Sequence, residues 1–253
     1  MNLLHFITLI AKKIRNRQKI IKAFIITFNE ESTISLTINH YKKICSEIYI
    51  FDNYSTDNTK AICLALGCKV TLFGEEGVLD DRAYLEVKNN AWKNHRDADY
   101  VIVCDADELL YNIPSKLNKD IYVCRGYNMY SETVPKSWDE VQNGYPQGDY
   151  DKTILFNPKK IKEIYYTFGA HKIDPKIYND FFSAKVDNSS TLLKHMRYIG
   201  GVKKMIDRYN LYSSRMSNFN RENELGFQYL MDVEEIKNNW EEVKQKSLFV
   251  EDQ

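Results

Sequence analysis

The 253-residue chain contains no Cys-x-x-Cys pair, and its cysteines are odd in number. Neither a disulfide framework nor a zinc site is therefore indicated. Most of these cysteines stand in apolar strand or helix patterns, and we expect reduced core residues in a cytosolic protein. They are Cys45, Cys63, Cys68, Cys104 and Cys124.

A net charge is also absent, because 35 lysines and arginines balance 35 aspartates and glutamates. Without a global positive field, the composition gives no reason to expect nucleic acid as a partner. The charges are nevertheless unevenly placed. Residues 1–28 include basic side chains and no acidic ones, whereas the tail from Glu222 onward is mostly acidic.

The N-terminus lacks an apolar run long enough to cross a bilayer, since only residues 1–10 are mainly apolar and about 20 are needed. Basic residues follow this run, whereas in a secretory signal they precede it. Two interpretations of residues 1–18 remain open: a helix on an anionic membrane surface, or a helix docked on the domain. We expect a cytoplasmic protein, which the first interpretation would place at the inner face of the membrane as a peripheral contact.

Apolar runs alternate with helical periodicities over the first 110 residues. Strands are predicted at 19–27, 47–51, 68–73 and 100–104, with helices between them. This order predicts one α/β domain with a parallel sheet and right-handed crossovers. Ligands of such sheets bind beyond the carboxyl ends of the strands. The informative loops are therefore Thr27 to Glu30, Asp52 to Thr59 and Asp105 to Glu108.

Two carboxylates, Asp105 and Asp107, follow the buried strand 100–104. Where a strand ends and turns, carboxylates at positions i and i+2 can converge on one small volume. Hard oxygen ligands select magnesium or manganese, which keep open positions for phosphate oxygens. The alternative is a polar turn with no ligand, and the remaining motifs have to decide between the two.

Three segments stand in order at the ends of predicted strands. They are Thr27-Phe28-Asn29-Glu30, Ile50-Phe51-Asp52-Asn53-Tyr54-Ser55-Thr56-Asp57-Asn58-Thr59 and Val103-Cys104-Asp105-Ala106-Asp107-Glu108. Together they resemble the family 2 nucleotide-sugar glycosyltransferases with the GT-A fold, a Rossmann-like three-layer α/β/α arrangement around a mostly parallel central sheet.

The resemblance implies roles for individual residues. It implies that Thr27, Asn29, Glu30 and Asp52 line the nucleotide pocket. Asp105 would face the ribose or the metal, and Asp107 would bind the Mn²⁺ or Mg²⁺ ion that bridges the diphosphate. Arg82, on the predicted helix 80–95, either reaches the diphosphate or lies on a solvated face.

The second half carries Tyr150-Asp151-Lys152, Gly169-Ala170-His171 and Leu193-Lys194-His195. These motifs resemble a subgroup whose Asp-x-Asp is followed by Glu. The resemblance implies that His195 completes the metal shell and that His171 contacts the diphosphate or the acceptor. An inverting transferase also needs a carboxylate base. We predict Asp151 for this role, with Asp149, Asp139 and Glu140 behind it.

The predicted activity is metal-dependent transfer of a sugar from a nucleotide donor, by the resemblance a UDP-sugar, to a glycan or lipid-linked glycan, as in polysaccharide biosynthesis. Inversion is implied by the resemblance alone. A domain of the same fold that binds a sugar nucleotide or glycan without catalysis remains an alternative. An aspartyl phosphatase would carry its Asp-x-Asp on the first strand, with Thr or Val where Leu109 stands. A nucleotidyltransferase would need a Gly-rich loop ending in Lys, which is absent.

We divide the chain into a basic N-terminal segment (1–18), a GT-A catalytic domain (19–200) and a helical extension packed on it (201–253). Within the second half we expect a strand at 121–129 and a loop at 134–147. After Gly200-Gly201 a helix carries Met205 and Tyr209 on its apolar side, with Arg208 elsewhere. The acidic segment 232–253 is predicted to be a solvated helix without chemistry.

Overall fold

The computed structural model describes residues 19–147, 151–168, 173–177, 184–188 and 191–250, the segment 173–177 by its backbone alone. The predictions made for segment 1–18, for Asp149 and for His171 lie outside these residues.

The first half forms the parallel part of the sheet, in which four strands stand in the order β3-β2-β1-β4. The strands are β1 (Ile21–Thr27), β2 (Glu47–Asp52), β3 (Lys69–Leu72) and β4 (Tyr100–Asp105). The connecting helices are α1 (Ile34–Lys42), α2 (Thr59–Ala65) and α3 (Asp81–Asn90). Every residue of β1 is buried, as expected for a central strand covered on both faces.

Alternate residues of β1 enter different apolar clusters, because successive side chains of a strand point to opposite faces. Ala23 and Ile25 pack in the cluster that includes Ile34 and Ile38 of α1. Phe24 packs in a second cluster with Trp92, which follows α3. The sheet is therefore covered on both faces, and the predicted α/β class with a parallel central sheet is confirmed.

The second half extends the sheet with strands of both directions. These are β5 (Glu108–Tyr111), β6 (Ile121–Ser131), β7 (Asn143–Pro146), β8 (Lys152–Phe156), β9 (Ile161–Tyr166), β10 (Ile173–Ile177), β11 (Val186–Asp187) and β12 (Leu192–Ile199). Strand β8 runs antiparallel between β4 and β6. Strand β12 pairs with both β5 and β6, so His195 stands opposite Glu108 on one side and Asn128 on the other.

The C-terminal part is helical, as predicted. It comprises α4 (Gly201–Arg215), α5 (Asn218–Glu222), a 3₁₀ turn (Phe227–Leu230), α6 (Val233–Lys246) and the short strand β13 (Leu248–Phe249). Met205 and Tyr209 of α4 pack against Ile236 and Trp240 of α6. None of the helices in the described part of the chain has the length and apolar character needed to cross a membrane.

Two predictions about the second half were wrong. The expected loop at 134–147 contains a 3₁₀ turn (Trp138–Glu140) and β7, because Trp138 is an apolar anchor that is 3% exposed and Gly144 lets β7 approach Met129 closely. The acidic helix α6 is not only a solvated face, since Trp240 is 2% exposed in the core.

The cysteines are free, and four of the five are buried.

Candidate functional site: a charged cleft at the carboxyl end of the sheet

A cleft of about 560 Å³ opens where β1, β4 and β12 meet α3 and α4. Its charged lining includes Glu30, Asp105, Asp107, Lys152, His195 and Arg208. Its aromatic lining includes Phe28, Tyr84, Tyr209, Tyr212, Phe227 and Tyr229. The combination of ring faces with convergent charged groups is typical of a ligand site for a polar molecule that also carries a flat or apolar part.

Asp107 and His195 face each other in the cleft, with His195 Nε2 3.4 Å from Asp107 Oδ2. The other ring nitrogen, Nδ1, lies 3.0 Å from the side-chain oxygen of Asn128. An amide oxygen can only accept a hydrogen bond, so Nδ1 carries the proton and donates it. In the neutral ring Nε2 then carries the lone pair, and this lone pair is turned toward Asp107.

The orientation of Asn128 is itself determined by neighbours. Its amide nitrogen donates to Gln147 Oε1 and to Tyr145 Oη, which leaves its oxygen for His195. Asn128 is 1% exposed. A histidine whose second nitrogen donates to a fixed acceptor is the arrangement seen at metal-ligating histidines.

The pair formed by Asp107 and His195 fits a divalent cation. Bonds from such ions to oxygen and nitrogen ligands are about 2.1 Å long, so groups 3.4 Å apart can bind one ion. Within the described ranges, no group of three or more His, Cys, Asp or Glu residues is placed to hold a metal. Mg²⁺ and Mn²⁺ sites commonly use one or two protein groups together with substrate phosphates, which this pair satisfies.

The charge of Asp107 is balanced by the guanidinium of Arg208 and, when its ring is protonated, by His195. Burial alone would raise the pKa of Asp107, but His195 and Arg208 hold this pKa well below its ordinary value. Arg208 Nη1 lies 3.6 Å from the same carboxylate oxygen that faces His195. Asp107 is therefore an ionised carboxylate, which is the form that binds metals.

Asp105 is not part of that pair. Its Oδ2 accepts a hydrogen bond from Lys88 Nζ at 2.8 Å, and its Oδ1 is buried with no hydrogen-bond partner among the residues that the structure describes. Burial raises the pKa of Asp105 against the opposing effect of Lys88. Asp105 lines the cleft, and its predicted roles toward ribose or metal stay predictions.

At the floor of the cleft, Glu108 and Lys152 form a buried ion pair with a separation of 2.5 Å. Burial would raise the pKa of Glu108, yet Lys152 and Lys88 lower it to about 2. The second carboxylate oxygen of Glu108 accepts from the backbone N–H of Asp105. The pair therefore fixes the backbone just before Asp107. It also gives a structural role to Glu108, the Glu that follows Asp-x-Asp, and to Lys152, the Lys of Tyr-Asp-Lys.

The predicted nucleotide pocket lies at the ends of β1 and β2, where Thr27 and Asp52 are register partners. Ser55 donates to Asp52 Oδ1. Asp52 Oδ2 and the hydroxyl of Thr27 are buried with no hydrogen-bond partner in the described part of the chain. Unpaired buried polar atoms are costly and rare. With Asp105 Oδ1, these buried oxygens lie at three neighbouring strand ends. Thr27 and Asp105 line the cleft, whereas Asp52, which is 0% exposed, is outside the lining.

The remaining predicted residues have varied surroundings. Glu30 lines the cleft and binds Arg208, whereas Asn29 bonds with Thr56 in the loop beyond the cleft lining. Arg82 pairs with Asp80 and stacks over Phe219, 4.2 Å from the ring centre, and is not in the lining.

Asp151 is exposed and accepts a hydrogen bond from the backbone N–H of Gly126 at 2.8 Å. It is not in the lining either, although the next residue, Lys152, is.

Four residues of the site were not predicted as ligands. Lys88 stands in an amphipathic helix and looks solvated in sequence, but it is 6% exposed. Asn128 lies within a strand with no local sign of its partner. Arg208 and Arg215 belong to the basic side of α4, which sequence alone assigns to phosphate or to lipid headgroups. Arg215 stacks over Phe28, 3.3 Å from the ring centre, and donates to Asn53.

Comparison with known proteins gives relatives for most of the chain. No family model matches it. A protein of Rickettsia typhi named as an uncharacterized glycosyltransferase is 27% identical over 203 residues, which cover 79% of this chain and 67% of that protein. A protein of Rickettsia bellii with the same designation is 26% identical over 207 residues, with the same coverage of both chains. The chain thus spans about two thirds of the length of these relatives.

Among solved structures, glucosyl-3-phosphoglycerate synthase from Mycobacterium tuberculosis aligns with a TM-score of 0.30 and 18% identity over 44% of each chain. That crystal contains Mn²⁺, uridine diphosphate and glucosyl-3-phosphoglycerate. A second crystal of the enzyme, with Mg²⁺ and uridine diphosphate, gives a TM-score of 0.31 with the same coverage. Each alignment covers less than half of either chain.

Proposed function

We propose that this protein is a metal-dependent glycosyltransferase that moves a sugar from a nucleoside-diphosphate donor, a UDP-sugar, to a glycan or lipid-linked glycan acceptor with inversion. The observation that carries the proposal is the pair of Asp107 and His195, oriented by Asn128 and set beside unpaired acceptors at three strand ends. The names of the Rickettsia relatives support the assignment as a glycosyltransferase.

The donor's two halves match two parts of the cleft. A nucleoside brings N–H and O–H donors, which suit the oxygens of Thr27 and Asp105 in the cleft lining and of Asp52 at the adjoining strand end, outside that lining. Its flat base suits a wall that includes Phe28, whose ring is also stacked by Arg215. A diphosphate suits the neighbouring region around Asp107, where the cleft has its cations.

In the reaction, the bond between the sugar C1 and the diphosphate oxygen breaks, and its electron pair stays on the diphosphate. A bond forms between C1 and the acceptor oxygen, whose proton passes to a base. Asp107 and His195 would hold the Mn²⁺ or Mg²⁺ ion, which when bound supplies Lewis-acid stabilisation of the leaving diphosphate. The buried pair of Glu108 and Lys152 keeps Asp107 in place during this change of charge.

The proposed base is Asp151, with Asp149 two residues earlier. The hydrogen bond from the N–H of Gly126 fixes one oxygen of the Asp151 carboxylate and leaves the other to accept a proton. A variant Asp151→Asn should retain donor binding and lose transfer. Equal loss of donor binding and of transfer would instead mean that Asp151 maintains the structure of the cleft.

Isothermal calorimetry with a panel of nucleoside diphosphates, with and without Mn²⁺, tests the proposal directly. We expect one nucleotide to bind in a metal-dependent way to the wild type and not to Asp107→Ala. The matched control is Asp207→Ala, which removes a carboxylate that is 61% exposed on α4. Absence of binding by every nucleotide would refute the proposal.

Turnover separates an enzyme from a binding domain of the same fold. The released nucleoside diphosphate is measured during incubation of the protein with sugar nucleotides and Mn²⁺. Metal-dependent release that Asp107→Ala abolishes is the expected result. Tight binding without release from any sugar nucleotide, with or without glycan acceptors, would favour the binding domain.

A further inference from the structure

Arg208 of α4 stands between the ends of two strands of the parallel sheet. Its Nη2 donates to Glu30 Oε1 at 2.8 Å, and its Nη1 lies 3.6 Å from Asp107 Oδ2. The side chain is 18% exposed and lines the cleft. One guanidinium thus connects the residue after β1 with the proposed metal ligand after β4.

The two ends of this guanidinium are bonded differently. The contact of Nη2 with Glu30 has the length of a charge-assisted hydrogen bond. The distance of 3.6 Å between Nη1 and Asp107 Oδ2 is too long for a hydrogen bond. Among the described residues Nη1 has no hydrogen bond, although it carries two N–H donors. Glu30 therefore anchors the side chain and leaves a donor pair directed toward the cleft beside Asp107.

The other buried cations near this point are already engaged. Lys88 binds Asp105 at 2.8 Å, and Lys152 binds Glu108 within a pair that is 4% and 1% exposed. Replacing either partner with a ligand would leave a carboxylate buried and unpaired, which is strongly unfavourable. Arg208 can turn Nη1 to a new anion and still keep its hydrogen bond to Glu30.

We propose that Arg208 binds the diphosphate of the nucleotide donor through Nη1, while Nη2 stays on Glu30. The inference rests on the proposed function and adds a residue from outside the three motifs of the first half. A planar guanidinium offers two parallel donors to phosphate oxygens, which a lysine cannot reproduce. If Asp107 and His195 held a cation, the attraction of Arg208 Nη1 to Asp107 would weaken and Nη1 would be available to a diphosphate oxygen.

The test compares ligands that contain the diphosphate with one that lacks it. Calorimetry in Mn²⁺ measures UDP, inorganic pyrophosphate and uridine against the wild type, Arg208→Gln and Arg208→Lys. We expect Arg208→Gln to weaken UDP and pyrophosphate about 10- to 100-fold, as for the loss of a hydrogen bond to a charged group, and to leave uridine within about twofold. The affinity of Arg208→Lys for UDP should lie between those of the wild type and Arg208→Gln.

Uridine binding also reports that each variant is folded, and Arg208→Lys keeps a cation beside Glu30 if the glutamine variant is unstable. Lys203→Gln is the matched control, since Lys203 lies on the same helix with its side chain 87% exposed, and it should bind all three ligands like the wild type. Equal weakening of uridine and UDP, or no weakening of either, would overturn the role of Arg208. A wild type that binds neither UDP nor pyrophosphate would refute the proposed function, and this inference with it.

Discussion

Removal of the Asn128 side-chain oxygen should weaken metal binding without touching either proposed metal ligand, Asp107 or His195. In Asn128→Ala, Nδ1 of His195 loses the acceptor that lies 3.0 Å away. The ring can then rotate or place its proton on Nε2, the nitrogen that faces Asp107. Both changes would remove the lone pair from the position proposed for the ion.

The size of the effect follows from the role of Asn128. Loss of such an outer partner of a ligating histidine typically costs 10- to 100-fold in metal affinity, or about 1.4 to 2.7 kcal/mol. We expect the upper part of this range, since Asn128 is 1% exposed and no water molecule from bulk solvent can readily replace its oxygen. Asn128→Asp keeps an acceptor at this position and should retain most of the affinity.

The assay is titration of Mn²⁺ in the presence of the nucleoside diphosphate that the wild type binds, followed by calorimetry or by the Mn²⁺ electron paramagnetic resonance signal. Urea unfolding of each variant separates lost stability from lost affinity. A carboxylate acceptor can also favour the charged imidazole, so Asn128→Asp is compared at several pH values. If Asn128→Ala binds Mn²⁺ as well as the wild type, His195 is not a ligand positioned by Asn128, and the reasoning fails.

Three further predictions concern stability and are read from urea unfolding. Lys152→Met should cost about 3–5 kcal/mol by leaving Glu108 buried without its main partner, and Lys152→Met/Glu108→Gln should recover part of this loss. Hydrogen bonds from Lys69, Tyr49 and Lys22 lower the pKa of Glu47 from 4.5 to about 2. Glu47 therefore stabilises the fold above its unfolded pKa, and this contribution, about 1 kcal/mol for a partly exposed group, is lost as the pH falls toward 2. Glu47→Gln should lack that pH dependence, and an unchanged profile would contradict the pairing. Gly144→Ala should cost about 1–3 kcal/mol, because the added methyl would lie 2.7 Å from the backbone oxygen of Asn128, and wild-type stability would contradict this close approach.

Local patterns were sufficient for the parallel half of the fold. The apolar runs at 21–27 and 100–105 are buried strands because they are short, β-branched and followed by polar loops. The loop predicted at 134–147 failed for a tertiary reason. Its strand forms by pairing with β6 and packs through isolated anchors such as Trp138, which no local periodicity reveals.

The residues of the site also divide into those that the sequence predicts and those that it cannot. Thr27, Asp52 and Asp105 are brought together by the register of adjacent parallel strands, which the strand order already implies. The contact between Asp107 and His195 was implied only by resemblance, since the residues are distant in sequence. Asn128 could not be predicted, because its role depends on the register of β12 against β6.

Helix α4 contributes to the site through one face. Lys204, Arg208 and Arg215 follow one another at intervals of four and seven residues, which places them on the same side of a helix. Lys204 reaches Ser32, Arg208 reaches Glu30, and Arg215 reaches Asn53.

These contacts follow the carboxyl edge of the sheet from β1 to β2, where its polar loops concentrate negative charge. Helix dipoles cannot balance that charge alone, because their influence is confined to the terminal turn. The cations have to come from a part of the chain that packs across the edge. The segment predicted as a helical extension from residue 201 is therefore a wall of the proposed nucleotide site, and its basic residues serve the cleft as much as its apolar residues serve the core.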